Sequence, residues 1–384
     1  MNNKKNYTGK IVYMGIDIHK KTYCCVSICE GEIVKRDTLL ANPEGLLNYM
    51  NKFFPGAKIK SAYEAGFAGF HLHRALVKNK IHNIVVHPAS IEVSSRDRVK
   101  TDKRDALKIA TQLSVNRLRG IYVPSFEQEG RRTISRLRSN FMKSRTRVGA
   151  QFKSLLFTQG LIEAGHTTVI SQKWITQKLI EIEKGSYPED FYYSAKEYAE
   201  EWKHLTGKIK EIEERLKTQA EGDKDIQRIY ESVPGIGLIH GRQLANELGD
   251  MSQFHNEKQL FSYTGLTPSE LSSGEHIRQG HISRQGRSVL RNILIEASWT
   301  AIRKDPELRK VYENISRRRG GKRAIVGVAR RLVGRIRACL KSGLCYGIEK
   351  NKKKEENNDV DNMIDKSIIQ EKSIIHAAIC ATSF

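Results

Sequence analysis

Asp102 and Asp105 stand three residues apart at the start of a helical pattern of Ala106, Leu107, Ile109 and Ala110, so both carboxylates point to one face of that helix. Two like charges held together repel and cost stability unless a cation sits between them. The flanking Arg98, Lys100, Lys103 and Arg104 offer one source of that cation, which would leave an ordinary solvated face. A divalent metal that also holds a nucleic-acid phosphate is the other. Two further acids end apolar runs. Asp17 follows Ile11-Val12-Tyr13-Met14-Gly15-Ile16, and Glu64 follows Ile59-Lys60-Ser61-Ala62-Tyr63. Far along the chain, the stretch from Thr264 to Gly286 carries Ser272, Ser273, His276, Arg278 and Arg284 among glycines and few core residues. It reads as a surface loop, and loops of that length inside a compact domain usually carry function.

The elements around the four acids decide whether they can meet. Ile11 to Ile16 and Tyr23 to Ile28 read as a hairpin about the polar turn His19-Lys20-Lys21, and Glu32-Ile33-Val34 as a third strand. Pro43 to Phe54 reads as a helix with Leu46, Leu47, Met50 and Phe54 on one side. Ile59 to Tyr63 is a fourth strand, after which Gly66 and Gly69 turn the chain into a helix bearing Leu72, Leu76 and Val77. Ile84 to His87 is a buried strand ahead of the acid-bearing helix. Three strands, helix, strand, helix, strand and a helix with two acids is the order of ribonuclease H-like domains. There the first and fourth strands are neighbours, so Asp17 and Glu64 would emerge together, and the last helix could bring Asp102 and Asp105 to the same point. Four converging carboxylates require metal, and two Mg²⁺ ions about 4 Å apart serve phosphodiester chemistry.

The remainder reads as mostly helical. Arg131 to about Phe157 is a long amphipathic helix with a basic side, and Ala195 to Gln219 keeps heptad spacing through Tyr198, Trp202, Leu205, Ile209, Ile212 and Leu216. Together they make a stalk that is either an antiparallel intramolecular pair or a dimer seam. Between them Thr158 to Tyr193 yields no clear element. Ser232-Val233-Pro234-Gly235-Ile236-Gly237, ahead of a helix from Leu238 to Leu248, resembles the turn of helix-hairpin-helix modules, and an ordinary helix-helix turn is the alternative. Another short helix is expected from Phe254 to Tyr263. Ser288 to Arg303 and Lys322 to Leu340 are amphipathic helices about the basic joint Arg317 to Arg323. Arg330, Arg331, Arg335 and Arg337 leave the second one free to face phosphates. The lysine- and asparagine-rich tail from Asn351 reads as disordered.

Composition narrows the partner. The 384 residues carry 66 Lys and Arg against 43 Asp and Glu, a formal charge of +23 that favours polyanions, nucleic acid first. No apolar run approaches the roughly 20 residues of a membrane span, and no signal-peptide core follows the basic N-terminus, so a cytoplasmic protein is expected. Cys24, Cys25, Cys29, Cys339, Cys345 and Cys380 lack paired C-x-x-C spacing and read as reduced thiols.

Gly15-Ile16-Asp17, Tyr63-Glu64-Ala65-Gly66, Lys100-Thr101-Asp102 with Asp105-Ala106, Val233-Pro234-Gly235-Ile236-Gly237, and Gly265-Leu266-Thr267-Pro268 with Ser273-Gly274 occur in order along the chain. In these blocks the sequence resembles the DEDD transposases of the insertion-sequence one-ten family, which includes Piv-type DNA invertases. The resemblance implies a RuvC-like (ribonuclease H-like) α/β domain over 1–128 and a helical coiled-coil region over 129–224. A mostly helical transposase domain over 225–347 and the tail over 348–384 would follow. It implies Asp17, Glu64, Asp102 and Asp105 as Mg²⁺ ligands, one or two ions, and Ser273 as the nucleophile, with Ser272 the weaker candidate by register. Because acids and serine fall in different domains, the site would be composite. Double-stranded DNA, a guide noncoding RNA and a second copy of the chain, in a dimer or tetramer, are the implied partners, and a 5′-phosphoserine the implied intermediate. His276, Arg278 and Arg284 receive no firm role. A RuvC-type hydrolytic nuclease and a nucleic-acid-binding protein that has lost catalysis are the competing readings.

Overall fold

The structure is a computed structural model that describes residues 6–92, 101–163, 165, 169–270, 279–283 and 285–347. Arg98, Lys100, Ser272, Ser273, His276, Arg278, Arg284 and the tail from 348 lie outside the described residues. The chain forms two compact units, Met1–Pro124 and Ser125–Phe384.

The first unit is a mixed α/β domain. Its strands are β1 (Ile11–Ile18), β2 (Thr22–Cys29), β3 (Glu32–Leu40), β4 (Lys58–Glu64) and β5 (His82–Val86), and its helices α1 (Pro43–Phe53), α2 (His71–Lys78) and α3 (Asp102–Ser114). The five strands form one sheet in the order β3-β2-β1-β4-β5, with β1 antiparallel to β2 and parallel to β4. Helices cover both faces, which is why β2 is apolar almost without alternation. Val12, Met14 and Ile16 pack against Leu46, Met50, Leu72 and Leu76 on one side. On the other, Cys24, Val26 and Ile28 meet Ala106 and Ala110 of α3, while Ala62 and Val86 meet Ile109 and Leu113.

Gly15 sets how close α3 comes to the sheet. A Cβ at that position would stand 2.1 Å from the carbonyl oxygen of Ala106 and 2.5 Å from the amide nitrogen of Ala110, so only glycine admits the helix backbone there. Small Ala106 and Ala110, both fully buried, complete the contact from the helix side. Gly15→Val is therefore expected to lower the stability of the domain by about 3 kcal/mol, at the upper end of overpacking costs, because backbone rather than a rotamer must move. The midpoint of urea denaturation reads this directly; an unchanged midpoint would mean that α3 is not seated on β1.

The second unit is mostly helical: α4 (Phe126–Thr158), α5 (Gln172–Lys184), α6 (Glu189–Glu221), α7 (Lys224–Glu231), α8 (Leu238–Leu248) and α9 (Glu257–Thr264), then β6 (Pro268–Glu270) and β7 (Gln279–Ile282), and finally α10 (Ser288–Lys304), α11 (Pro306–Arg319) and α12 (Gly321–Ser342). Helices α4 and α6 are each 33 residues long, roughly 50 Å. They run antiparallel: Arg138, early in α4, donates to Glu213, late in α6, at 2.8 and 2.6 Å, whereas Gly149 sits against Trp202. The heptad residues Trp202, Leu205, Ile209, Ile212 and Leu216 are all buried within this chain. Of the two arrangements open to the heptads, the intramolecular pair is the one formed. The segment that gave no clear element in sequence contains α5, which adds Ile175 and Ile182 to the same core and sets Trp174 edge-on to Phe152.

The α7–α8 turn separates the roles of its two glycines. Gly235 has φ +87°, and a Cβ there would stand 2.8 Å from the Cα of Ala297 on α10, so this residue serves packing. Gly237 precedes α8 with open space beside it. The expected loop from Thr264 to Gly286 is not irregular throughout: β6 and β7 pair antiparallel, Pro268 with Ile282 and Glu270 with Gln279. The basic joint is likewise more ordered than expected, since Arg317, Arg318 and Arg319 end α11 and the single residue Gly320, with φ +80°, turns the chain into α12. Leu244, Leu248, Leu294, Ala301, Val328, Leu332 and Ile336 form the centre of this unit.

Candidate metal centre

Strand geometry puts the first acid on the α3 side of the sheet. Along β1, Tyr13, Gly15 and Asp17 alternate with the core residues Val12, Met14 and Ile16, and Gly15 touches α3. Asp17 thus stands on that face, at the C-terminal end of the strand. On α3, Asp102 shares a face with Ala106 and Ala110 at four-residue steps, the two residues that rest on β1 and β2. Seating the helix on Gly15 therefore carries Asp102 to the end of β1.

His19 joins the two. It lies two residues beyond Asp17, just past the strand, and its Nε2 is 3.1 Å from Asp17 Oδ2 and 3.2 Å from Asp102 Oδ1. One ligand atom from each of Asp17, His19 and Asp102 falls within 4.8 Å of the others. Asp105, one turn further along α3, accepts from Lys108 Nζ at 3.1 Å. It still adds to the negative field on Asp17. Burial pushes the Asp17 carboxyl above the ordinary carboxylate range, His19 opposes that shift, and the charges of Asp102 and Asp105 reinforce it. Glu64 ends β4 one residue beyond the Ile16 and Tyr63 pair of the parallel ladder, so it follows Asp17 in register and shares the α3 face with Ala62. Its carboxylate is not among the three groups that converge.

The donor set fits a divalent cation. Two carboxylate oxygens and an imidazole nitrogen are established ligands, and the repulsion among Asp17, Asp102 and Asp105 is the charge that such an ion would offset. Of the sequence-derived acids, the structure brings Asp17 and Asp102 together, with Asp105 beside them in the field and Glu64 on the neighbouring strand. Ser273 falls outside the described residues. Ser269, in the same segment, donates its hydroxyl to the His281 carbonyl at 3.0 Å. The residue that sequence reading passed over is His19, assigned to a turn; the signal was its i, i+2 spacing from Asp17, which places both on one side of an extended chain.

The basic residues divide in two. Arg136 is bidentate to buried Glu247 at 2.7 and 3.0 Å, Arg335 is held by Asp305 and Glu307, and Arg337 donates to the carbonyls of Phe254 and His255. These cations serve the fold. Arg335 and Arg337, expected to be available to phosphates, are engaged, whereas Arg331 is exposed without an ion pair among the described residues. No helix of the described residues is long and apolar enough to cross a membrane, and their five cysteines are free thiols.

Two family models match this chain. One, a DEDD transposase model of the IS110 type, covers residues 14–158, and the other, described as Transposase IS116/IS110/IS902 family, covers residues 227–313. A provisionally named transposase of Sinorhizobium fredii, y4qE, is 28% identical over 256 residues, 65% of this chain, and the match spans only 60% of that relative's length. The transposase for insertion sequence element IS1111A of Coxiella burnetii is 27% identical over 67% of this chain and 71% of its own. The transposase for element IS1533 of Leptospira borgpetersenii is 26% identical over 75% and 84%.

Proposed function

We propose that the chain is an insertion-sequence transposase of the IS116/IS110/IS902 family, whose models match residues 14–158 and 227–313, and that it acts as a recombinase that cuts and rejoins DNA phosphodiesters. The observation that carries the reading is the meeting of Asp17 and Asp102 at the end of β1, on a sheet whose β1 and β4 are parallel neighbours. That strand order supports a RuvC-like assignment for the first unit. In this reading Asp17, Glu64, Asp102 and Asp105 hold Mg²⁺, one or two ions. A bound divalent ion would supply Lewis-acid stabilisation of negative charge on the scissile phosphate.

The chain's own groups do the rest. Ser273 is the nucleophile: its Oγ bonds to phosphorus, the bond from phosphorus to the 3′ oxygen breaks, and the hydroxyl proton passes in net terms to that oxygen. The resulting 5′-phosphoserine keeps the phosphodiester energy, so a new 3′ hydroxyl can reverse the step and join a different strand. Unpaired basic groups such as Arg331 and the net charge of +23 suit a double-stranded DNA substrate and an element-encoded noncoding guide RNA. Pairing of two element ends calls for a homo-oligomer.

The test is strand joining by the full chain on a labelled element-end duplex with the element's noncoding RNA. Joined product is expected with Mg²⁺, lost on chelation with EDTA and restored by added Mg²⁺. Absence of joined product, or joining that persists in EDTA, would overturn the reading.

A further inference from the structure

The four acids do not account for what lies between them. His19 Nε2 faces Asp17 Oδ2 at 3.1 Å and Asp102 Oδ1 at 3.2 Å at once. An imidazole nitrogen carries at most one proton, so hydrogen bonding alone would share one N–H between the two carboxylates in a three-centre bond, less linear in each arm than an ordinary one. A nitrogen lone pair aimed at a shared cation satisfies both contacts. The separations also suit that role: neighbouring ligands on an octahedral ion with bonds of about 2.1 Å are about 3 Å apart. The His19 side chain is 44% exposed and that of Asp102 62%, so the group is open on one side to solvent and to a phosphate.

Resting on the assignment of the acids as a metal site, we infer that His19 Nε2 is a ligand of the same ion as Asp17 and Asp102. A mixed nitrogen and oxygen donor set changes which ion is held best. Mg²⁺ favours oxygen and gives up water reluctantly, whereas imidazole suits first-row transition ions. Mn²⁺, which also accepts carboxylate and water oxygens, is the cation this site binds more tightly than Mg²⁺, and His19 is the residue that makes the difference. The position is within reach of substitution without loss of the fold, since His19 lies past the end of β1 and belongs to none of the hydrophobic clusters.

The experiment is Mn²⁺ titration of the metal-stripped full chain, read by the electron paramagnetic resonance signal of free Mn²⁺, with spin-echo modulation to detect nitrogen bound to the ion. Wild type is expected to bind Mn²⁺ with ¹⁴N modulation. His19→Ala should lose the modulation and weaken Mn²⁺ binding by about tenfold or more, with Mg²⁺ binding, read by competition, changing by about threefold at most. Two results would overturn the inference: wild-type Mn²⁺ without ¹⁴N modulation, or His19→Ala binding Mn²⁺ as tightly as wild type. Asp17→Asn separates this failure from the larger one. If Asp17→Asn abolishes Mn²⁺ binding while His19→Ala does not, the nitrogen ligand falls and the acid site stands. If Asp17→Asn binds Mn²⁺ like wild type, the ion lies elsewhere and both assignments fall.

Discussion

Asp17→Asn is expected to reduce strand joining by about a thousandfold or more, while the melting temperature of the first unit stays unchanged or rises slightly. The two halves of that expectation have one cause. The Asp17 carboxylate is destabilised by burial and by the charges of Asp102 and Asp105, so its ionised form is costly to the folded protein. Asparagine has nearly the same shape, keeps an oxygen to face His19, and removes the repulsion. What it cannot do is supply the charge that a cation on a scissile phosphate needs, and loss of such electrostatic stabilisation costs on the order of 10²–10³ in rate for a single group, more where the ion is lost altogether. On the proposed function, DNA binding should be retained or tightened, because a negative charge would be removed from the surface assigned to the scissile phosphate. The pair of measurements is thermal denaturation and joining in Mg²⁺. Wild-type joining by the variant would take Asp17 out of the chemistry; a large drop in melting temperature would make its role structural.

Much of the first unit was legible because its strands are bounded by turn residues and end on polar groups. The runs before Asp17 and Glu64 became β1 and β4, and the pattern of Ala106, Ile109 and Ala110 became α3 starting at Asp102. The function of Gly15 was not legible: a glycine inside a strand signals close approach of something, but only the fold says that the approaching object is the backbone of α3. His19 was hidden for a related reason. A histidine followed by two lysines reads as a polar turn, and its distance to Asp102 is a contact across more than eighty residues that no local pattern encodes.

In the second unit, heptad spacing revealed α6 but not its partner. Tyr198, Trp202, Leu205, Ile209 and Ile212 would look the same facing a second copy, and burial against α4 within one chain is what resolves it. The arginines show the limit of charge counting. Arg136, Arg138, Arg335 and Arg337 belong to a basic total that points to nucleic acid, yet each is held by a carboxylate or a backbone carbonyl of the same unit. Pairs such as half-exposed Arg136 with buried Glu247 tie α4 to α8 and leave little charge for a partner.

Ser273→Ala is expected to remove both the denaturant-stable protein–DNA adduct and strand joining, to the background of the assay, with DNA and RNA binding intact. A serine hydroxyl is a poor nucleophile, and a recombinase that used water instead would release a phosphomonoester whose energy is spent. Rejoining the cleaved phosphate itself to a new 3′ hydroxyl without an external energy source therefore requires that phosphate to be held as an ester of the protein, and alanine has no atom with which to form it. Ser272 is the internal control. Its hydroxyl is one residue out of register with the Gly265-Leu266-Thr267-Pro268 block, so Ser272→Ala should still form the adduct. Mass mapping of the trapped peptide would then find the nucleotide remnant on Ser273. A Ser273→Ala variant that cleaves as fast as wild type would mean that water attacks the phosphate, and the chain would be a metal-dependent nuclease built on the same acids. A variant that loses the adduct but keeps binding assigns the serine to bond exchange.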